Sequence, residues 1–174
     1  MVNKEAVVLI GHGSAASDTP KPMVGELKRL EGERQARREA AMSPREAELD
    51  KIVRGWPRTP ATDAYKYGVE AIAQALAPKL GGRKLIAAYN EFCAPSVEDA
   101  IELLVQEGFT RILLISTMFT RGGIHAERDI PDIVLAARKK HPGIAVEYAW
   151  PFDADRVASF LADQLRRALP SAPR

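Results

Sequence analysis

Four short runs in the chain are almost continuously apolar: AVVLI (6–10), KLIAAYNEF (84–92), RILLIST (111–117) and IAVEYAW (144–150). Runs of this length without an alternating polar face predict strands covered on both sides. Between them the apolar spacing changes to that of a helix. Tyr65, Val69, Ile72 and Leu76 share one helical face before the second run. PSVEDAIELLVQEG (95–108) opens with Ser96 and has Asp99 three residues on, the spacing of a capping box, and it stops at Gly108. DIPDIVLAARKKHPG (129–143) opens at Asp129, carries Pro131 in its first turn and ends in Arg138, Lys139 and Lys140, cations suited to a helix C-terminus. DADRVASFLADQLRRAL (153–169) sets Val157, Phe160, Leu161 and Leu165 on one stripe, and the tail PSAPR (170–174) is expected to fray.

Strands alternating with helices predict an α/β fold: a parallel four-stranded sheet with helices on both faces. Right-handed crossovers leave few topologies. The flavodoxin-like order places the first strand between the second and third, so that the C-terminal ends of these three become neighbours. Residues 19–62 break the rhythm, because the first strand should pass directly to a helix. MVGELKRLEGERQARREAAM (23–42) is highly charged, with a narrow apolar edge of Met23, Leu27 and Leu30. SPREAELDKIVRGW (43–56) begins with Ser43, Pro44 and Glu46, a helix-start signature, and carries a stripe of Leu49, Ile52, Val53 and Trp56. PRTPATD (57–63) returns the chain to the domain. The expectation is a single domain over 1–174 with 19–62 an inserted helical hairpin, which acts as a solvated arm, a lid over the strand ends or a dimerisation arm.

Composition narrows the function classes. A length of 174 residues suits one domain with a proper core, and a formal net charge of +2 gives no strong pull toward nucleic acid or membrane. The single cysteine, Cys93, cannot form an internal disulfide, which fits a reducing compartment. The run Ala6–Ile10 is too short for a signal peptide, and no run approaches the roughly 18–20 apolar residues of a membrane span. A soluble cytoplasmic protein is expected.

The candidate chemistry lies at the strand ends. The chain has three histidines; two of them, His12 in IGHGS and His125 in TRGGIHAERD, follow apolar strands in glycine-rich settings. Ligands of open parallel sheets bind outside the carboxyl ends of the strands. Under the expected strand order, His12, His125 and Glu91, from the end of the second strand, are gathered from three adjacent strand ends. Two imidazoles and a carboxylate can hold a first-row divalent cation and leave coordination positions open. Neutral imidazole also accepts protons near neutral pH. Gly11, Gly13, Gly122 and Gly123 let the backbone turn sharply and let a large flat ligand approach. His141, in KKHPG, reads as a surface residue at a helix end, and Cys93 as a small buried apolar residue. GHGSA lacks the G-x-S-x-G of a nucleophile elbow, Ser14 has no evident triad partners, and no phosphate-cradling glycine loop follows a strand.

At these residues the chain resembles the class II tetrapyrrole metal chelatases of the CbiX/SirB type, the sirohydrochlorin cobaltochelatases and ferrochelatases. The resemblance lies in VVLIGHGS (7–14), in YNEFCAPSVEDAIELLVQEGFTRILLISTMFTRGGIHAERDIPDI (89–133) and in HPGIAVEYAWPFD (141–153). Its most specific part is a glutamate four residues before Pro95 combined with GG-x-H-x-x-x-D-I-P. It implies a chelatase-like fold and the insertion of Co²⁺ or Fe²⁺, the metal being a substrate and no organic cofactor being needed, into sirohydrochlorin or a related macrocycle of cobalamin or siroheme biosynthesis. It carries the metal and catalytic roles to His12, His125 and Glu91. Contacts to the macrocycle are expected from Ser14, Met118, Phe119, Arg121 and Gly123, with Arg128, Lys66 and Arg54 as further cations for its carboxylates. Short members of the family work as homodimers, so a homodimer is expected. The alternatives are a ferrochelatase or Ni²⁺ chelatase for another tetrapyrrole, a non-catalytic tetrapyrrole or metal carrier and, further off, a phosphate-handling enzyme.

Overall fold

The computed structural model of the chain describes residues 4–39 and 41–169. The tail 170–174, expected to fray, lies outside the described residues. Four parallel strands, β1 (Glu5–Gly11), β2 (Lys84–Tyr89), β3 (Arg111–Ser116) and β4 (Ala145–Tyr148), form one sheet in the order β2-β1-β3-β4. Val8 pairs with Ile86 on one side and with Leu114 on the other, so β1 is central. The expected strand order and parallel α/β architecture are therefore present. The ends of β1, β2 and β3 stand side by side.

The central strand β1 is apolar because both its faces are covered. On one face Ala6, Val8, Ile10, Ala88, Ile112 and Leu114 pack under α4 (Val97–Gln106) and α5 (Ile130–Lys140), which contribute Val97, Ile101, Leu104, Ile130 and Val134. On the other, Leu9, Tyr89 and Cys93 pack against Val69 of α3 (Ala64–Leu76). The α4 start follows the sequence signal: Ser96 Oγ accepts from the Asp99 N–H at 3.0 Å, and the Asp99 carboxylate accepts from the Ser96 N–H. Burial pushes the Cys93 thiol above its ordinary range, which leaves it an inert packing group.

Three helical details differ from the pattern reading. On α3 only Val69 of the stripe is buried, whereas Tyr65 and Ile72 are exposed. Asp129 does not cap α5: it already has helical φ and ψ, because a π-helical turn, His125–Asp129, runs straight into the helix. On α6 (Ala154–Ala168) the apolar stripe exists but faces outward; Phe160 and Leu165 are each 61% exposed.

Residues 19–62 contain α1 (Lys21–Arg37) and α2 (Pro44–Arg54), packed on each other. Ser43 Oγ accepts from the Glu46 N–H at 3.2 Å and starts α2. Glu46 is buried and meets Arg34 of α1 at 2.8 Å, and a forked pair between Arg45 and Glu26 adds a second bridge between the helices at 2.9 Å. Leu27, Leu49 and Val53 close around Phe92, next to Glu91. The hairpin is thus bound to the turn after β2 rather than standing free in solvent.

Candidate metal centre

His12 follows the last residue of β1. Its backbone N–H donates to the Tyr65 hydroxyl at 2.8 Å. Its Nδ1 lies 2.9 Å from the carbonyl oxygen of Gly13. A carbonyl can only accept, so Nδ1 carries the proton and Nε2 keeps a free lone pair. His125 opens the π-helical turn beyond β3. Its Nδ1 lies 2.7 Å from Asp129 Oδ2 and 2.7 Å from Asn90 Nδ2, and its Nε2 lies 3.4 Å from Glu91 Oε1. The two imidazoles meet edge to face, with centroids 4.7 Å apart and planes at 86°.

The ligand atoms of His12, Glu91 and His125 all lie within 4.8 Å of one another, and each residue is half-buried. Bonds of about 2.1 Å to a divalent ion put neighbouring ligand atoms about 3 to 3.5 Å apart. Small side-chain rotations close that difference. Three protein ligands of this kind leave coordination positions open for an incoming group.

The turn that presents Glu91 is fixed by backbone. The Asn90 N–H donates to Gly11 O at 3.0 Å and the Glu91 N–H to His12 O at 2.8 Å, so the β1–β2 pairing continues past the strand ends. Gly13, at φ +91°, makes this possible, since a Cβ there would lie 1.9 Å from the Glu91 carbonyl oxygen. A Cβ on Gly11 would likewise press on Val69 and Tyr89. The glycines beside His12 are therefore filled against by protein, not left open for a flat ligand; Gly122 and Gly123 are the exposed pair. Phe92 holds a left-handed φ of 54°, uncommon for a bulky side chain. Two arginines from the segment 19–62 clamp the turn. Arg54 donates to the carbonyls of Asn90 at 3.0 Å and Cys93 at 3.1 Å. Arg58 is buried, pairs with Asp63, and donates to the carbonyls of Phe92 and Ser14.

Beside Glu91 a cavity of about 750 Å³ opens between the hairpin and α5, lined among others by Glu31, Arg34, Arg54, Glu91, Asp129 and Asp132. Its carboxylates interact: burial pushes Glu31 above the usual carboxylate range, repulsion from Glu91 adds to this, and Arg34 opposes it. An aromatic shelf follows β3 and β4. Tyr148 and Trp150 stack at 5.9 Å with planes 6° apart, and Phe152 meets both Trp150 and Phe119 edge to face.

The other candidate residues are dispersed. Ser14 donates to Asp63 Oδ1 at 3.3 Å. Met118 packs against the main core and Phe119 stands on the aromatic shelf. Arg121 is well exposed, 3.5 Å from Glu127. Among the further cations, Lys66 pairs with Glu70, Arg128 with Asp129, and Arg54 with Asp50 and the turn. His141 meets Glu102 at 2.8 Å at the end of α5. Two further residues touch the site, Asp129 and Tyr65, and the apolar pattern marks them only as a helix start and a helical-face position. An aspartate four residues after a histidine on one helix was the available signal for the first.

Several known proteins are similar to this chain. A model of the CbiX family matches residues 61–168, the part of the chain beyond the hairpin. The sirohydrochlorin ferrochelatase of Priestia megaterium is 28% identical over 78 residues, which are 44% of this chain and 29% of that protein. The solved structure of SirB from Bacillus subtilis with Fe³⁺ superposes with a TM-score of 0.54 at 18% identity, over 96% of this chain and 48% of that one. A CbiX protein of Marinobacter aquaeolei VT8 gives 0.53 at 14% identity, over 94% and 96%. The chain thus spans less than a third of the curated ferrochelatase and about half of SirB, and the structural likenesses speak for the fold. The family match runs from α3 through α6 and takes in both Glu91 and His125, more than half of the chain: it belongs to the CbiX family.

Proposed function

We propose that the protein is a metal chelatase that inserts Co²⁺ or Fe²⁺ into sirohydrochlorin or a closely related tetrapyrrole, in cobalamin or siroheme biosynthesis. The observation that carries this reading is the meeting of His12, Glu91 and His125 at three adjacent strand ends, each histidine with its Nδ1 engaged elsewhere. Nε2 of both rings and a Glu91 oxygen hold the ion and leave positions open toward the ring nitrogens of the macrocycle. Uptake of a divalent metal releases two pyrrolic protons, which the freed imidazoles and Glu91 accept as the metal leaves them. The rings of Phe119, Trp150 and Phe152, which meet edge to face, offer apolar contact to the macrocycle.

Among the described residues no helix is long and apolar enough to cross a membrane. We place the protein in the cytoplasm and read the outward stripe of α6 as a homodimer contact. Anaerobic metal insertion into sirohydrochlorin, followed by absorbance with Co²⁺, Fe²⁺ and Ni²⁺, tests the activity. Acceleration over the spontaneous rate that disappears in His12→Ala and His125→Ala is expected. Metal binding without acceleration, for any of the three ions, would instead identify a carrier.

A further inference from the structure

His125 Nδ1 has two partners at the same distance, and they make opposite demands. Asp129 Oδ2, at 2.7 Å, can only accept a proton, whereas Asn90 Nδ2, also at 2.7 Å, can only donate one. One nitrogen cannot satisfy both. If Nδ1 carries the proton it donates to Asp129, Asn90 turns its amide oxygen inward, and Nε2 keeps its lone pair. If Nδ1 accepts from Asn90, the proton sits on Nε2, which then points at Glu91 3.4 Å away. That second state removes two of the three metal-binding atoms at once, since a protonated Nε2 cannot ligate and the Glu91 oxygen is occupied.

We propose that Asp129 is a positioning residue that holds His125 in the Nδ1–H tautomer against the competing Asn90 amide. The proposal rests on the reading of His12, Glu91 and His125 as the metal site and adds to it the group that keeps the site competent. Three features support it. The π-helical turn puts residues 125 and 129 on one side of the chain, so the contact is local and short. The second Asp129 oxygen is held by Arg128 Nε at 3.1 Å, which fixes the carboxylate plane. A bond to an ionised acceptor is roughly twice as strong as one between neutral groups, so the carboxylate outcompetes the amide. Histidines that bind metals ordinarily have such an acceptor behind the ring.

The chain has three histidines, so long-range ¹H–¹⁵N correlation of the imidazoles in the metal-free protein, at about pH 8 where neutral rings dominate, reports each tautomer separately. The wild type should show His125 as Nδ1–H. Asp129→Ala, and Asp129→Asn as a gentler variant, should move it to Nε2–H and weaken Co²⁺ binding, read from the cobalt d–d spectrum, at least tenfold. Asp129→Ala with Asn90→Ala removes the competing donor and should recover part of that loss, which a merely structural role for Asp129 would not produce. A His125 that stays Nδ1–H without Asp129, or a double variant no better than the single one, overturns the proposal. Failure of the metal-site reading looks different: His125→Ala would leave Co²⁺ affinity unchanged, while the tautomer readout would still decide the role of Asp129.

Discussion

The Cα of Gly13 points at the carbonyl oxygen of Glu91, and a methyl group placed there would approach it to 1.9 Å. The turn that carries His12 is thus seated directly on the backbone of the turn that carries Glu91. Gly13→Ala must push the Glu91 turn away, and its φ of +91° adds strain of its own. The expected outcome is a loss of about 2 kcal/mol or more of stability and a Co²⁺ affinity at least tenfold weaker, although no ligand has been changed. Gly32→Ala is the contrast. Gly32 is exposed in α1 with nothing near its missing Cβ, so alanine should stabilise by about 0.5–1 kcal/mol and leave metal binding alone. Thermal melts and cobalt titrations of the two variants check both.

The strand order was legible because four apolar runs and the handedness of crossovers leave little choice. The three gathered side chains followed from that order, since each lies in the segment that leaves a strand end, His12 at once and His125 only after a loop. Side chains that bind backbone leave no such trace in the apolar pattern. The charged stretch 43–56 marks Arg54 only as a cation for a macrocycle carboxylate, yet Arg54 binds the carbonyls beside Glu91 while Arg45 lies on the surface with Glu26 and Glu48. Asp129 looked like a helix cap because a π-helical turn has no apolar period of its own to reveal it. The stripe of α6 was correctly spaced, but spacing alone does not say which surface receives it.

Arg54 supplies the next test. It is mostly buried and donates to the carbonyls of Asn90 and Cys93 while pairing with Asp50 at 2.8 Å. Arg54→Ala leaves those acceptors without a donor and should cost about 2–3 kcal/mol, with Co²⁺ affinity falling because Glu91 is no longer held in place. Arg45→Ala, in the same hairpin, should change stability by no more than about 1 kcal/mol and affinity not at all. Deleting 19–62 should leave the sheet folded, because the core between the sheet and α4 and α5 contains no residue of that segment, yet remove metal binding. Far-UV circular dichroism alongside cobalt titration separates the two effects. Full cobalt affinity in Arg54→Ala would mean that the turn holds its shape without the clamp.

Glu31 lines the cavity beside Glu91, and burial, with repulsion from Glu91, raises its pKa. A carboxyl whose folded pKa lies above its unfolded value binds more protons in the folded state between the two values. Stability from this group is therefore fully present below the ordinary carboxylate value of 4.5 and is lost as pH rises through the raised one. Glu31→Gln keeps the shape without the charge. It should raise Tm at pH 7 by about 2 °C, and the gain should vanish below the ordinary carboxylate range. Melts of both proteins across that window check the sign, and an equal gain at every pH would remove the carboxylate as its cause.

The stripe of α6 is an apolar surface left facing water. Phe160, Leu161 and Leu165 are 61, 45 and 61% exposed, and no residue of the helix is buried. Its other side is strongly polar, with Asp155, Arg156, Asp163, Arg166 and Arg167, so the helix has no second apolar face to bury instead. On the sheet, Leu113 and Ile115 of β3 are likewise only half-buried. Apolar side chains grouped this way on a helix mark a contact surface. If that contact is a second copy, sedimentation should give twice the 19.1 kDa of the chain at micromolar concentration. Phe160→Glu with Leu165→Glu should return the single-chain mass. These positions contribute nothing buried to the monomer, so the isolated variant should keep its far-UV spectrum and its Co²⁺ affinity. A wild type that sediments as one chain at every concentration would assign the stripe to a different partner, and a double variant that remains dimeric would move the interface elsewhere on the surface.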